Sequence, residues 1–260
     1  MTASIMMVTY NRLDLTKETL DNLFKNTKYP FNLIIVDNGS KDETVKYLDK
    51  ILSKEMEGNE AFKDYKVIAS KENLGIAIGR NLALYEAINK YDSQWLATID
   101  NDVEVPEGWL GEAISVMESN PAYASIGVNM ERVEYQMVTK NGKTFQSKPQ
   151  GNLGTAAMVF GRSLQKMLGF FNYKDFNFYG QEDSDWGMRT RVLGLKLGYI
   201  EKMGNHLGEG KRDQGEYREF KTKSHQDNMK VFNSNVREYM QRKRPLFINF
   251  SPSDINAVWK

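Results

Sequence analysis

The 260-residue chain contains no cysteine, which excludes disulfides and thiolate-ligated metal sites. Histidine is scarce, with only His206 and His225. No apolar run approaches the roughly 20 residues that a membrane helix needs. The opening MTASIMMVTYNR lacks a basic region ahead of its apolar residues and does not read as a secretory signal. A net charge of +1 gives no overall pull toward nucleic acid or anionic membrane, so any such attraction must be local. Two phosphate-binding signatures are also missing. No G-x-G-x-x-G follows the first apolar run and no G-x-x-x-x-G-K-[ST] occurs anywhere, so bound phosphate would be met mainly by a metal. These absences point to a cytoplasmic chain, with any membrane contact peripheral.

What the chain does have is a rhythm. Ser4–Val8, Phe31–Val36, Lys66–Ala69 and Trp95–Ile99 read as short buried strands. Asp14 or Thr16 caps a first helix, and further helices are expected over Asp42–Leu52 and Ile76–Asn89. Charged Lys54–Asp64 reads as a surface connection. Such alternation predicts an α/β fold with a doubly wound, mainly parallel central sheet flanked by helices. After Pro106 the rhythm changes. A helix over Trp109–Ser119, strands over Tyr123–Met130 and Gly154–Gly161, and a hairpin at Asn141-Gly142 are expected. The aromatic stretch Phe170–Tyr179 precedes a helix over Gln181–Gly194 and a short strand over Leu197–Glu201. Gly208–Gly215 reads as a loop and Glu216–Arg244 as a long basic helix.

The fourth strand runs into Asp100-Asn101-Asp102, then Val103, Val105 and Pro106. Hard divalent cations take oxygen ligands, and Mg²⁺ favours one or two carboxylates plus substrate phosphates. Open α/β sheets bind ligands beyond the carboxyl ends of their strands, where this D-x-D falls. Thr9-Tyr10-Asn11 and Asp37-Asn38-Gly39-Ser40 end the first and second strands, so all three clusters converge on one edge. That edge suits a nucleotide, because carboxylates accept base imide and ribose hydroxyl protons while a metal takes the diphosphate.

Together Val8-Thr9-Tyr10-Asn11-Arg12, Val36-Asp37-Asn38-Gly39-Ser40, Asn73-Leu74-Gly75 with Arg80-Asn81, Asp100-Asn101-Asp102 and Gly180-Gln181-Glu182-Asp183-Ser184-Asp185 resemble the family 2 glycosyltransferases of GT-A fold. The motifs come in that family's order and spacing over about residues 4 to 207. The resemblance implies a metal-dependent, inverting transfer from a nucleotide-diphosphate sugar, with Mn²⁺ or Mg²⁺ as cofactor. It implies nucleotide contacts at Thr9, Tyr10, Asn11, Asp37, Asn38, Asn73, Arg80 and Asp100. It implies Asp100, Asp102 and His206 at the metal, and Asp183 of the Glu182-Asp183 pair as general base. Gln181 and Trp186 are candidates for sugar or acceptor contact, although Trp186 reads equally as core. Asp37-Asn38 stands where many members have consecutive aspartates, which affects the second base-edge contact. A UDP donor is expected, since a carboxylate at Asp37 accepts uracil's imide N–H.

Asp185 and Arg189, four apart, read as a helix-face ion pair. His225 reads as a solvated position. The division expected is a catalytic domain over 1–207, with a nucleotide half at 1–106 and an acceptor half at 107–207, then a basic helical extension over 208–260. From Lys211 to Arg244 ten basic residues stand against five acidic ones, a surplus of +5 in a chain of net +1. That surplus either solvates a packed helix or faces an anionic acceptor such as a glycan, lipid headgroup or nucleic acid, with Arg242-Lys243-Arg244 on its phosphates. Two other functions share these features. A nucleotidyltransferase would need a glycine-rich basic loop near the N-terminus, and a non-catalytic binding module would keep the fold without turnover.

Overall fold

The computed structural model describes residues 1–131, 133–176, 178–208 and 215–255. In chain order the elements are β1 (Ala3–Thr9), α1 (Leu13–Asn26), β2 (Phe31–Asp37), α2 (Thr44–Gly58), β3 (Phe62–Ala69), α3 (Ile76–Asn89) and β4 (Trp95–Asp100). A two-residue β5 (Val103–Glu104) follows, then α4 (Trp109–Ser119), β6 (Tyr123–Asn129), β7 (Met137–Lys140), β8 (Lys143–Lys148), β9 (Ala157–Gly161) and α5 (Arg162–Leu168). The chain continues through α6 (Glu182–Val192), β10 (Lys196–Met203), β11 (Asn205–His206) and α7 (Gly215–Met240).

Nine strands form one sheet in the order β3-β2-β1-β4-β9-β6-β10-β8-β7. The first four are mutually parallel, as the strand–helix alternation requires. β9 then runs antiparallel between β4 and β6, so the sheet as a whole is mixed. Alternation along each strand serves two cores. Ile5, Met7, Leu33, Ile35, Ala97 and Ile99 face the layer holding α1, α2 and α4. Met6, Ile34, Val36 and Leu96 face the layer of α3, α5 and α6. Fully burying one such side chain stabilises by about 1.5–3 kcal/mol. Asn141 and Gly142 have φ of +50° and +74°, as the two-residue turn between β7 and β8 demands.

Several boundaries differ from expectation, most of all around β3. The stretch read as a surface connection is largely ordered, because α2 runs to Gly58 and β3 starts at Phe62. Phe62 stacks on Phe31 at 5.3 Å, while the charged residues around it lie on an edge strand where charge discourages further pairing. A small second sheet, β5 with β11, was not foreseen.

α7 is docked on the body rather than standing off it. Tyr239 is fully buried and its hydroxyl donates to Asp185 Oδ1 at 2.8 Å. The Arg189 guanidinium bonds Asp185 at 2.6 Å and the carbonyls of Leu168, Phe170 and Leu246, so the expected helix-face pair is present but wholly buried. Among the described residues no helix is long and apolar enough to cross a membrane. Most of the loop expected at Gly208–Gly215, with Lys211 and Arg212, lies outside the described residues, as does 256–260.

Candidate active site

The carboxyl ends of β1 and β4 open into a cleft of about 440 Å³. It is closed on the other side by the segment leading into α6 and by the first turns of α7. The Asp100-Asn101-Asp102 turn is held from below. Asn101 Nδ2 donates to Thr9 Oγ1 at 3.2 Å and Thr16 Oγ1 at 3.0 Å, tying the end of β4 to β1 and α1. β11 pairs with β5 and places His206 opposite Val103, and Leu207 N–H donates to the Asp102 carbonyl at 2.7 Å. Ligand atoms of Asp100, Asp102 and His206 consequently lie within 4.8 Å of one another.

The chemistry of this trio fits a divalent cation. Burial, then the charge of Asp100, raise the Asp102 carboxyl above its ordinary range, so two carboxylates share a site that one more positive charge would relieve. His206 Nδ1 is buried and without a hydrogen-bond partner, while Nε2 lies 3.7 Å from Asp102 Oδ1. Arg12, with φ of +61°, reaches Asp102 Oδ2 at 3.2 Å. A Cβ at Gly208 would collide with both groups, which is why the chain passes there as glycine.

Arg80 is the cleft's buried cation. Its guanidinium bonds Asp100 Oδ1 at 2.7 Å and Glu182 Oε1, linking α3 to β4 and to the start of α6. Burial alone would lower its pKa, but Asp100, Glu182 and Asp183 together hold it raised. Burial pushes Glu182 up to about 7 against the pull of Arg80. Glu182, Asp183 and Asp185 occupy the first turn of α6, where acids complement the helix dipole. Glu182 and Asp183 line the cleft; Glu182 is buried, whereas Asp183 is half-buried and its Oδ1 accepts from Ser184 N–H at 2.6 Å.

The nucleotide candidates divide into two groups. Thr9, Tyr10, Asn38, Asn73, Arg80 and Asp100 line the cleft. Asn11 does not: its amide oxygen accepts from Lys41 N–H at 2.8 Å and its own N–H donates to Ser40 Oγ, so it joins the loops after β1 and β2. Asp37 is 1% exposed, with Oδ2 accepting from Ser40 N–H and Oδ1 unpartnered, and burial raises its pKa. Asn38 uses its amide on the 73–75 loop, donating to Asn73 Oδ1 and the Gly75 carbonyl and accepting from Leu74 N–H. An aspartate could not donate those two bonds, which accounts for asparagine at this position.

One expectation needs correction. Trp186 is 1% exposed and stacks on Phe171 at 4.7 Å, so it belongs to the core and cannot stack on a sugar in the cleft. Arg244 is paired with Asp175 and Glu238 and packs against Tyr239, while Arg242 and Lys243 are exposed. His225 is exposed, as expected of a solvated position, and it also lines the cleft, 3.5 Å from Gln181 Nε2. Lys221, Phe178 and Tyr179 also line it and were not singled out. The aromatic run before α6 was visible in the sequence, but nothing there indicates which turn of α7 meets it.

This fold, with a D-x-D turn and a second acidic cluster facing one cleft, defines a glycosyltransferase of the GT-A type. The family described as glycosyl transferase family 2 matches residues 4–192, and the chain belongs to it. Uncharacterized glycosyltransferases of Haemophilus influenzae and Rickettsia felis are 23% identical over 128 residues and 27% over 149. Those matches cover 49% and 57% of this chain but only 36% and 21% of the relatives, so the chain spans roughly a third or less of their length. Among solved structures, the Pyrobaculum calidifontis mannosyltransferase PcManGT in complex with GDP-Man and Mn²⁺ superposes with a TM-score of 0.67 at 19% identity, over 90% of this chain and 64% of that one. The S. aureus TarS 1–349 complex with UDP-GlcNAc gives 0.59 at 19% identity, over 84% and 61%. At such identity the likeness concerns the fold.

Proposed function

We propose that this protein transfers a sugar, with inversion, from a nucleotide-diphosphate donor to an acceptor hydroxyl, using a divalent metal. The observation that carries the reading is the shared cleft: Asp100, Asp102 and His206 cluster within 4.8 Å, and Asp183 faces the same space. Both structural neighbours are described with nucleotide sugars, one of them with Mn²⁺. Asp100, Asp102 and His206 would hold the cation, which when bound supplies Lewis-acid stabilisation of the leaving diphosphate. The chain's own groups do the rest. The Asp183 carboxylate takes the proton of the acceptor hydroxyl as its oxygen bonds to the anomeric carbon and the bond to the diphosphate oxygen breaks. Arg80 fixes Asp100 and Glu182 so that neither turns into the cleft unpaired. Uridine is the proposed base, by the family resemblance and because a carboxylate at Asp37, at the end of β2, would accept an imide N–H that cytidine lacks.

Thermal-shift titrations of UDP, GDP and CDP with Mn²⁺ come first, followed by donor turnover in wild type and Asp183→Asn. UDP should stabilise most, and Asp183→Asn should keep donor binding while losing transfer. Tighter binding of GDP or CDP would overturn the uridine assignment. Full turnover in Asp183→Asn, or retained anomeric configuration in the product, would overturn the mechanism.

A further inference from the structure

Arg12 is turned toward the metal trio by a backbone that few side chains adopt. Asn11 and Arg12 follow β1 with φ of +54° and +61°, two consecutive non-glycine residues in the left-handed region. The conformation is fixed locally. Asn11 is tied to Ser40 and Lys41, and the Arg12 carbonyl accepts from the N–H groups of Leu15 and Thr16 at 3.1 Å and from Thr16 Oγ1 at 3.3 Å. Arg12 stands at the N-cap of α1, yet its side chain makes no capping bond. Glycine or asparagine would serve both the backbone and the cap at lower cost, so what arginine adds is its guanidinium.

That guanidinium goes to Asp102, with Nη1 lying 3.2 Å from Oδ2. The pair is enclosed. The Asp102 side chain is 10% exposed and that of Arg12 23%, and a Cβ at Gly208 would collide with both. The other oxygen of Asp102 faces His206 Nε2 at 3.7 Å, and Asp100 is bonded to Arg80 at 2.7 Å. Each carboxylate of the trio thus already holds a guanidinium from within the chain. Lys221 on α7 adds its own charge to those acting on Asp102.

We propose that Arg12 competes with the divalent cation for Asp102, so that tight metal binding requires a diphosphate in the cleft at the same time. The proposal rests on the metal and donor reading above. A dication entering the trio brings two positive charges close to a guanidinium already seated on one of the ligands. Like charges at that range oppose each other strongly where water is partly excluded. A nucleoside diphosphate supplies the missing negative charge, to the cation and to Arg12 alike. Arg12 lines the same cleft, and its planar fork pairs with phosphate as well as with carboxylate, so it can pass from Asp102 to a phosphate oxygen. Cation and diphosphate therefore strengthen each other's binding, and by the same factor.

The test is Mn²⁺ binding to the chelator-stripped full chain, followed by calorimetry and by the electron paramagnetic resonance of free Mn²⁺, alone and with UDP or GDP. Arg12→Gln and Arg12→Gly are measured beside wild type. Glycine suits the left-handed backbone, so that variant keeps the fold even where glutamine does not. Lys221→Gln, which removes the charge acting on Asp102 from α7, is the control. Both Arg12 variants should bind Mn²⁺ alone about tenfold more tightly than wild type, and the gain from nucleoside diphosphate should shrink by a similar factor. Lys221→Gln should change Mn²⁺ affinity by clearly less. Affinity unchanged or weakened in the Arg12 variants would overturn the proposal, because the guanidinium would then support the site instead of competing for it. An equal gain in Lys221→Gln would also overturn it, since the general positive field and not the contact with Asp102 would set the affinity. Mn²⁺ taken up by none of the four proteins, with or without nucleotide, would be the failure of the metal reading itself, and the proposal would fall with it.

Discussion

Arg80 is 5% exposed and sits between two carboxylates that would otherwise repel each other across the cleft. Its position in a mostly apolar helix gives no hint of these two partners in sequence, because they come from β4 and α6. Arg80→Met should destabilise the fold by about 3–5 kcal/mol, since it leaves buried carboxylate charge uncompensated. Arg80→Lys should restore little, because an ammonium cannot span two carboxylates as the planar guanidinium does. Urea unfolding of the three proteins checks both statements, and equal midpoints would show that the pairs carry no net stability. Asp102→Asn should behave oppositely. Asparagine keeps the shape and removes a desolvated charge beside Asp100, so the metal-free fold should be as stable as wild type while metal-dependent turnover is lost.

At the scale of elements, α7 shows where sequence stops informing. Its polar, basic composition left a packed helix and an acceptor-facing one equally open, and its contacts run back into the body through Tyr239 to Asp185, Asn235 to Asp175 and Asn228 to the Tyr179 carbonyl. Each is a single polar contact between distant segments, and periodicity has no means of pairing them. The D-x-D turn, the Glu182-Asp183 corner and the parallel first half of the sheet were legible by other routes. The D-x-D turn and the strands depend on short apolar runs ending in polar clusters, a local pattern, while the Glu182-Asp183 corner came through the family resemblance. Tyr239→Phe tests the docking of α7 directly. It removes a hydrogen bond to a buried carboxylate and should cost about 1.5–3 kcal/mol. An unchanged urea midpoint would leave α7 without its anchoring role.

Taken as a whole molecule, the cleft is assembled from segments far apart in sequence, drawn from the parallel half of the sheet, from β11 and from α6 and α7. None of its walls is covalently tied to another, as there is no cysteine to do so. Polar links through Asn101, Arg80, the Leu207 N–H to Asp102 and the carbonyls under α7 help hold them in register. A donor bound with its metal would bridge the β4 turn, β11 and the cleft floor at once, and it would relieve the repulsion between Asp100 and Asp102. Binding to the folded state alone stabilises it by about 2.7 kcal/mol at a hundredfold excess over Kd. For a domain of this size that corresponds to a rise in Tm of about 5–10 °C. Mn²⁺ with nucleoside diphosphate should therefore raise Tm by that order in wild type. Mn²⁺ alone should give a smaller rise, and in Asp102→Asn the metal-dependent part should vanish while the nucleoside part remains. A nucleoside diphosphate that stabilises equally with chelator and with Mn²⁺ would mean that the Asp100, Asp102 and His206 cluster does not hold the cation, and the charge of the leaving group would fall to Arg12 and Lys221.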